Sequence, residues 1–253
     1  MRTSMRSAAG AAAAVSLVLL VSGCGGEGKG DDNGQDAPKA SASATSAPAA
    51  KALSAAELDK LILEKGDLKG YQVAKADTGD VVPASSVTTD KASCVPIAHA
   101  MSFISPGSPA ASAQRKVLEE PKKDAKASPE EALLGGLGVR VTAVTLGSYD
   151  GQGAQDAFAS VKKAGGECAG GFTVIHGAEK TKVGKVAPES VTAGEEAVAF
   201  TITSEMEGEP FVSKLVVLRQ GNTLASFSTI SFVPGGVKAY PKDVVDAQAA
   251  KLS

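Results

Sequence analysis

Residues 198–232 read VAFTITSEMEGEPFVSKLVVLRQGNTLASFSTISF. The first six of these residues alternate between larger and smaller side chains, which is the two-residue period of a half-buried β-strand. Glu207–Pro210 is typical of a turn, and Gly221-Asn222 is a two-residue turn signal between two extended segments. The stretch therefore predicts three antiparallel strands arranged as a meander.

The middle strand of this meander contains Leu215–Leu218, which is apolar on both faces. We therefore expect it to lie in the centre of a sheet that is covered on both sides. Residues 237–252 predict a final helix, because Val245, Ala249 and Leu252 recur at helical spacing.

A helix is also predicted at the other end of the folded region, over about residues 55–65. Ser54 and Glu57 form a capping-box pattern, and Leu53 and Leu58 are placed as a hydrophobic staple across it. Helices at both ends of an antiparallel sheet predict an α+β fold, in which the C-terminal meander is packed by the N-terminal and C-terminal helices.

The first 24 residues, MRTSMRSAAGAAAAVSLVLLVSGC, are typical of a bacterial export signal. Arg2 and Arg6 give a positive start with no acidic residue nearby. The apolar stretch 11–21 has the length of the hydrophobic part of a signal peptide, about 7–15 residues, and is shorter than the roughly 20 residues of a membrane-spanning helix.

Ser22-Gly23 before Cys24 resembles a bacterial lipobox. We expect residues 1–23 to be a signal peptide and Cys24 to become diacylated, because two acyl chains give stable anchoring to a membrane. The protein would then be lipid-anchored on the extracytoplasmic face of the cell membrane. The alternatives are an ordinary secretory signal with a coincidental cysteine and a retained transmembrane helix.

Residues 24–52 are predicted to be a flexible tether. They are mostly Gly, Ser, Ala, Pro, Asp and Lys, and over 25–50 no apolar side chain is larger than Ala or Pro, so they cannot bury a core. A random coil of about 26 residues has a root-mean-square reach near 28 Å. Residues 53–253 are predicted to form a single domain.

Composition argues against a nucleic-acid-binding protein. The formal net charge of the chain is −2, and loss of residues 1–23, with two arginines and no acidic residue, makes it −4. A nucleic-acid-binding domain would present a basic patch or stripe. The chain contains no Trp, three Tyr and seven Phe, so aromatic platforms for stacking bases or sugars are scarce.

Cys94 and Cys168 remain if Cys24 carries lipid. An even number of cysteines in an oxidising compartment predicts a disulfide between them. The alternative is a pair of independent buried thiols.

The sequence contains no catalytic motif and predicts no cofactor. No serine lies in a G-x-S-x-G pattern, and the two histidines, His99 and His176, are far apart in sequence. Neither Cys94 nor Cys168 has the neighbouring Cys or His of a metal site, so no metal ligand is predicted.

Two other patterns suggest ligand sites only superficially. Gly151–Asp156 is similar to a dinucleotide loop, but Asp156 would place a negative charge where a pyrophosphate must bind, so we interpret it as the start of a helix. Glu205, Glu207 and Glu209 could bind calcium weakly, but they do not match an EF-hand loop, and a solvated charged turn is the favoured interpretation.

Polar side chains in the meander could form a partly polar sheet face, and the favoured alternative is a strand face exposed to solvent. These residues are Thr201, Thr203, Ser213, Ser226 and Ser228.

Residues 163–168, KAGGEC, are followed by the meander with Val198-Ala199-Phe200 and with 215–222, LVVLRQGN. Together with the C-terminal helix, this arrangement resembles the extracellular sensor domain of PknH-type serine/threonine kinases and its actinobacterial lipoprotein relatives, over about residues 53–253. The resemblance implies an α+β domain with disulfides and a ligand-binding cleft. Members commonly have four cysteines in two disulfides, whereas this domain has two.

These observations predict a cell-envelope lipoprotein whose extracytoplasmic domain is non-enzymatic and acts as a ligand-binding or sensor-type domain. Its partners would be the membrane, through an N-terminal diacylglyceryl anchor, and either a small or apolar ligand or an envelope protein. The alternatives are a structural or chaperone-like envelope protein and an envelope hydrolase that uses His99 or His176. The sequence does not identify the ligand-binding residues.

Overall fold

An antiparallel sheet of nine strands lies at the centre of the structure. The computed structural model describes residues 51–121, 138–233 and 235–253. The predicted signal peptide, Cys24 and all but the last two residues of the predicted tether lie outside the described residues.

The strands are β1 (Tyr71–Lys75), β2 (Val87–Thr89), β3 (Ala111–Glu119), β4 (Val141–Ser148), β5 (Phe172–His176), β6 (Glu179–Glu189), β7 (Glu196–Met206), β8 (Glu209–Gln220) and β9 (Thr223–Ile230). In the described part of the chain the α-helices are α1 (Ala55–Leu61), α2 (Val95–Met101), α3 (Gly153–Glu167) and α4 (Lys242–Leu252). None of these helices is long and apolar enough to cross a membrane.

The strands are ordered β1-β3-β4-β9-β8-β7-β6-β5-β2 across the sheet. The predicted meander is confirmed, because β7, β8 and β9 are consecutive neighbours and pair antiparallel. Val198 lies opposite Val217, and Val217 lies opposite Ser226. Gly221, with a φ of 56°, occupies the first position of the β8–β9 turn, where a positive φ matches the twist of the strands.

Helices cover both faces of the sheet. On the face covered by α2 and α3, Leu215 and Val217 of β8 belong to an apolar cluster with residues of both helices. On the face covered by α1 and α4, Val216 and Leu218 belong to a second cluster. The predicted central strand is therefore buried on both sides, and the predicted α+β fold with terminal helices packed on the sheet is confirmed.

The predicted capping box is present, because Ser54 and Glu57 exchange both expected hydrogen bonds at the start of α1. The helix ends at Leu61, earlier than predicted, because Ile62 adopts an extended backbone with a ψ of 154°. The next residue, Leu63, donates its N–H to Gln248 Oε1 of α4 at 2.9 Å. The residues that follow α1 thus connect this helix to α4 through a hydrogen bond.

The sequence pattern identifies the strands of the meander, and β5 and β6 are among the strands that it does not identify. The reason is visible in β6, where most side chains are exposed and only Val183 and Val186 are fully buried. Such a strand has no alternation of apolar and polar residues, so its pairing partners define it. β5 and β6 extend the sheet beyond the meander, and β2 completes that side.

Cys94 and Cys168 form a disulfide. Cys94 precedes α2 and Cys168 follows α3, and both residues are fully buried. The bond therefore joins the two helices that cover one face of the sheet.

Candidate functional site

The first described residues, Lys51–Leu53, lie at one end of the sheet, called here the entry end, where β4, β6 and β8 finish and β3, β7 and β9 begin. Asn222 in the β8–β9 turn donates from Nδ2 to the carbonyl oxygen of Lys51 at 2.6 Å. The N–H of Leu53 donates to Ser148 Oγ at 2.8 Å. These hydrogen bonds fix the first described residues to the entry end.

At the entry end, β7 extends further than its neighbour β6. The last pair between the two strands is Glu189 with Ala199, although β7 begins at Glu196 and pairs with β8 from that residue. The residues Glu196–Val198 therefore have a strand partner on one side only, and we call this segment the open edge of β7. An open strand edge presents main-chain N–H and C=O groups that can pair with another chain.

A cavity of about 480 Å³ lies beside this open edge, and we call it the β7 pocket. Four consecutive residues, Ala197–Phe200, line it. Successive side chains of a strand point to opposite faces, so a single cavity can contact all four only where it reaches the edge of the strand. The β7 pocket is therefore a cleft that reaches the edge of β7.

Small residues at the end of α3 form one wall of the β7 pocket. This wall consists of Gly165, Gly166 and Ala169, and the pocket is also lined by Val191, which packs against the cluster on the other face of the sheet. A Cβ placed on Gly166 would have no atom within 4 Å, which means that this residue faces open space. The β7 pocket therefore has room on this side because these wall residues have small side chains or none.

Two charged residues, Lys162 and Glu189, line the β7 pocket. Glu189 Oε1 accepts from Thr201 Oγ1 at 2.5 Å and also from Nζ of Lys214, while that Nζ donates to Thr201 Oγ1 at 2.7 Å. The Lys214 side chain is only 5% exposed. The charge of Glu189 is therefore balanced from inside the protein.

A second cavity of about 430 Å³ lies between α1 and the edge of β3. Arg115, nearly fully buried, donates to Asp59 Oδ1 at 2.7 Å, and Lys75 donates to Asp59 Oδ2 at 2.8 Å. Hydrogen bonds from Lys75 and Arg115 hold the pKa of the Asp59 carboxyl below its usual value. Because these charged groups pair with one another, we interpret the residues that line this cavity as a structural ion-pair cluster.

Of the two cavities, the β7 pocket fits the chemistry of a small-molecule site better. Such sites are mainly apolar, contain a few polar groups and have volumes of about 300–1,000 Å³. The sequence does not reveal the β7 pocket. Glycines at the end of a helix, and a strand that extends beyond the end of its neighbour, produce no recognisable sequence motif.

The prediction that the polar side chains of the meander form one partly polar sheet face is wrong, because these side chains lie on both faces of the sheet. Thr201 lies opposite Lys214 on one face, whereas Ser213 lies opposite Ile202 on the other. Ser213, Ser226 and Ser228 are buried beneath the face covered by α2 and α3. The favoured alternative of a solvent-exposed strand face is wrong for these three serines as well.

The two histidines approach the same residue, Val87. His99 Nε2 lies 3.2 Å from the Val87 carbonyl oxygen, and His176 is the strand partner of Val87. At the hairpin tip, Glu205 pairs with Lys182 at 3.1 Å. Among the described residues, no three His, Cys, Asp or Glu side chains come together as a possible metal site.

The predicted start of a helix at Gly151–Asp156 is confirmed, because α3 begins at Gly153. This helix continues through Gly165 and Gly166, up to Glu167. Its last turn therefore supplies the wall of the β7 pocket.

Comparison with known proteins places this fold in a family. No curated protein sequence matches the chain. The crystal structure of the extracellular domain of PknH from Mycobacterium tuberculosis is similar to it at 12% sequence identity, with a TM-score of 0.45, over 80% of this chain and 95% of that one. The model of the PknH-like extracellular domain matches residues 53–251. The match confirms the resemblance noted in the sequence, and the chain belongs to the family of PknH-like extracellular domains.

Proposed function

We propose that this protein is a lipid-anchored cell-envelope lipoprotein whose non-enzymatic, sensor-type domain binds a ligand in the β7 pocket. Membership of the family gives an extracellular, sensor-type domain. The observation that carries the ligand-binding part of the proposal is the apolar cavity between the end of α3 and the open edge of β7.

The shape of the β7 pocket supports ligand binding. Its volume of about 480 Å³ falls within the usual range for ligand sites, and its two charged residues stand among mainly apolar or small neighbours. The cavity is built into the packing of α3 on the sheet, so it exists without any rearrangement of the chain. A preformed site loses little conformational entropy when a ligand binds.

The anchoring part of the proposal rests on the N-terminal sequence. The two arginines, the apolar stretch 11–21 and the residues before Cys24 follow the pattern of a lipoprotein signal. Replacement of Cys24 by Ser removes the lipid acceptor, and we expect it to release the protein from washed bacterial membranes. Equal retention of the wild-type and Cys24→Ser proteins on the membrane, with no acyl mass on either, would contradict the anchor.

Ligand binding can be tested on the full chain carrying Cys24→Ser, which lacks the proposed lipid acceptor. The probe is 1-anilinonaphthalene-8-sulfonate, whose fluorescence rises in an apolar site. Gly166→Leu should abolish the saturable signal, because Gly166 lines the β7 pocket and the open space around it leaves room for a leucine side chain to fill the cavity.

Gly170→Leu is the matched control for this experiment. Gly170 also faces open space and does not line the β7 pocket, so its replacement should leave binding unchanged. No saturable binding by the unsubstituted pocket, or equal loss in both variants, would overturn the proposed ligand site.

A further inference from the structure

We infer that the ligand of the β7 pocket is an extended peptide segment that pairs with the open edge of β7. This inference rests on the proposed function and names its ligand class. The segment would add a tenth strand beside Glu196–Val198, where β6 no longer covers β7. It would place alternate side chains on the two sides of β7, and it would carry an acidic group near Lys162.

The main chain of the open edge requires a partner that can form hydrogen bonds. Along a strand, the N–H and C=O groups of successive residues point alternately to the two sides. Of the three residues Glu196–Val198, at least one must therefore direct both groups to the side that β6 leaves free. A purely apolar ligand would bury these groups without partners, whereas a peptide backbone supplies an acceptor and a donor for them.

The walls of the β7 pocket suit alternating side chains. Gly165, Gly166 and Ala169 lie on the side of α3, and Val191 belongs to the cluster on the opposite face of the sheet. A strand added at the edge points its side chains alternately toward these two sides. Because the α3 wall is made of Gly and Ala, it leaves room for an apolar side chain on that side.

Charge defines one further property of the peptide. Glu189 is balanced by Lys214, whereas Lys162 forms no ion pair within the described residues. Among the residues that line the β7 pocket, the uncompensated charge is therefore positive, while Glu195 and Glu196 beside the open edge share the cation of Arg219. A carboxylate on the peptide, either a side chain or a C-terminus, would complement it.

The inference can be tested with the full chain carrying Cys24→Ser and a fluorescein-labelled library of acetylated heptapeptides. Three alternate positions of the library vary among apolar residues, and the last residue is Asp or Asn. Fluorescence anisotropy should identify saturable binders that prefer Asp. Lys162→Ala should weaken their binding about threefold, within the range of an exposed ion pair. Lys163→Ala is the matched control, because Lys163 pairs with Glu167 and does not line the pocket.

Main-chain pairing is tested by methylating alternate amide nitrogens of the best heptapeptide in each of the two possible registers. One register should bind at least about tenfold more weakly, because its N–H groups are those that pair with β7. Hydrogen exchange should also slow at the open edge of β7 when the unmethylated peptide binds. Equal affinities in both methylated registers would overturn the inference.

The failures of the two proposals can be distinguished. If 1-anilinonaphthalene-8-sulfonate binds and its binding is lost in Gly166→Leu, while no library peptide binds, the pocket is a ligand site for an amphiphile and the peptide inference is wrong. If neither kind of probe binds, the proposed ligand site and the peptide inference both fall.

Discussion

Gly165 of α3 lies against the ring of Phe200 on β7, so closely that a Cβ on residue 165 would stand 2.3 Å from Phe200 Cε1. The neighbouring Gly166 faces open space. One glycine thus allows the helix to approach the sheet, while the next leaves room in the β7 pocket. A side chain would therefore clash at residue 165 but would not clash at residue 166.

This difference predicts opposite effects of the same substitution. Gly165→Ala should lower the free energy of unfolding by about 1–3 kcal/mol, because the methyl group displaces the Phe200 ring. Gly166→Ala should raise it by up to about 1 kcal/mol, because alanine favours the helix and meets no neighbour. Urea denaturation measures both values. Equal shifts in the two variants would contradict the close approach of α3 to β7.

The ion pair between Lys214 and Glu189 should contribute to stability through its burial. In Lys214→Met, the Glu189 carboxylate and Thr201 lose their buried donor. We expect a loss of about 2–3 kcal/mol, somewhat less than for a fully buried pair, because the Glu189 side chain is 27% exposed.

The control for this prediction is the double variant Lys214→Met with Glu189→Leu. Removing both charges should restore most of the stability, because no charge is then left unpaired. Chemical denaturation of the single and double variants gives the comparison. A double variant as unstable as Lys214→Met would indicate that packing, and not the unpaired carboxylate, causes the loss.

The disulfide should stabilise the domain by restricting the unfolded chain. Cys94 and Cys168 are 74 residues apart, and closing a loop of this length contributes about 4 kcal/mol in the chain-entropy model. The variant Cys94→Ala with Cys168→Ala should lose about that amount in urea denaturation. Reduced wild-type protein should denature at a similar urea concentration, and an unchanged midpoint in both would contradict the prediction.

Asp59 should make stability depend on acid pH. Hydrogen bonds from Lys75 and Arg115 lower its folded-state pKa, so the unfolded chain takes up a proton at a higher pH than the folded chain. The stabilisation is present above the unfolded pKa and is lost as the pH falls through the folded pKa, over the range below about pH 5. Asp59→Asn should flatten this part of the curve of unfolding free energy against pH. An unchanged slope would contradict it.

Local patterns in the sequence were sufficient for several elements of the fold. The capping box at Ser54 and Glu57, the alternation in β7 and the Gly221-Asn222 turn each specify backbone structure through neighbouring residues. The apolar stretch Leu215–Leu218 correctly indicated a strand buried on both faces. Such signals are readable because their causes lie within a few residues of one another.

Other features depended on contacts between distant residues. α3 continues through Gly165 and Gly166 and lies there against Phe200, a residue far away in sequence. β6 is a strand because it pairs with β5 and β7, although most of its side chains are exposed. Tertiary pairing in both cases overrides local propensity.

The sequence by itself determined the α+β class, the meander, the family resemblance and the two cysteines that form the disulfide, because each rests on local periodicity or on residue type. Only the tertiary structure decided where a ligand site can be. The β7 pocket exists because β6 stops at Glu189 while β7 starts at Glu196, and because glycines of α3 lie beside that gap. A cavity is a property of how separate elements pack, and no single stretch of sequence encodes it.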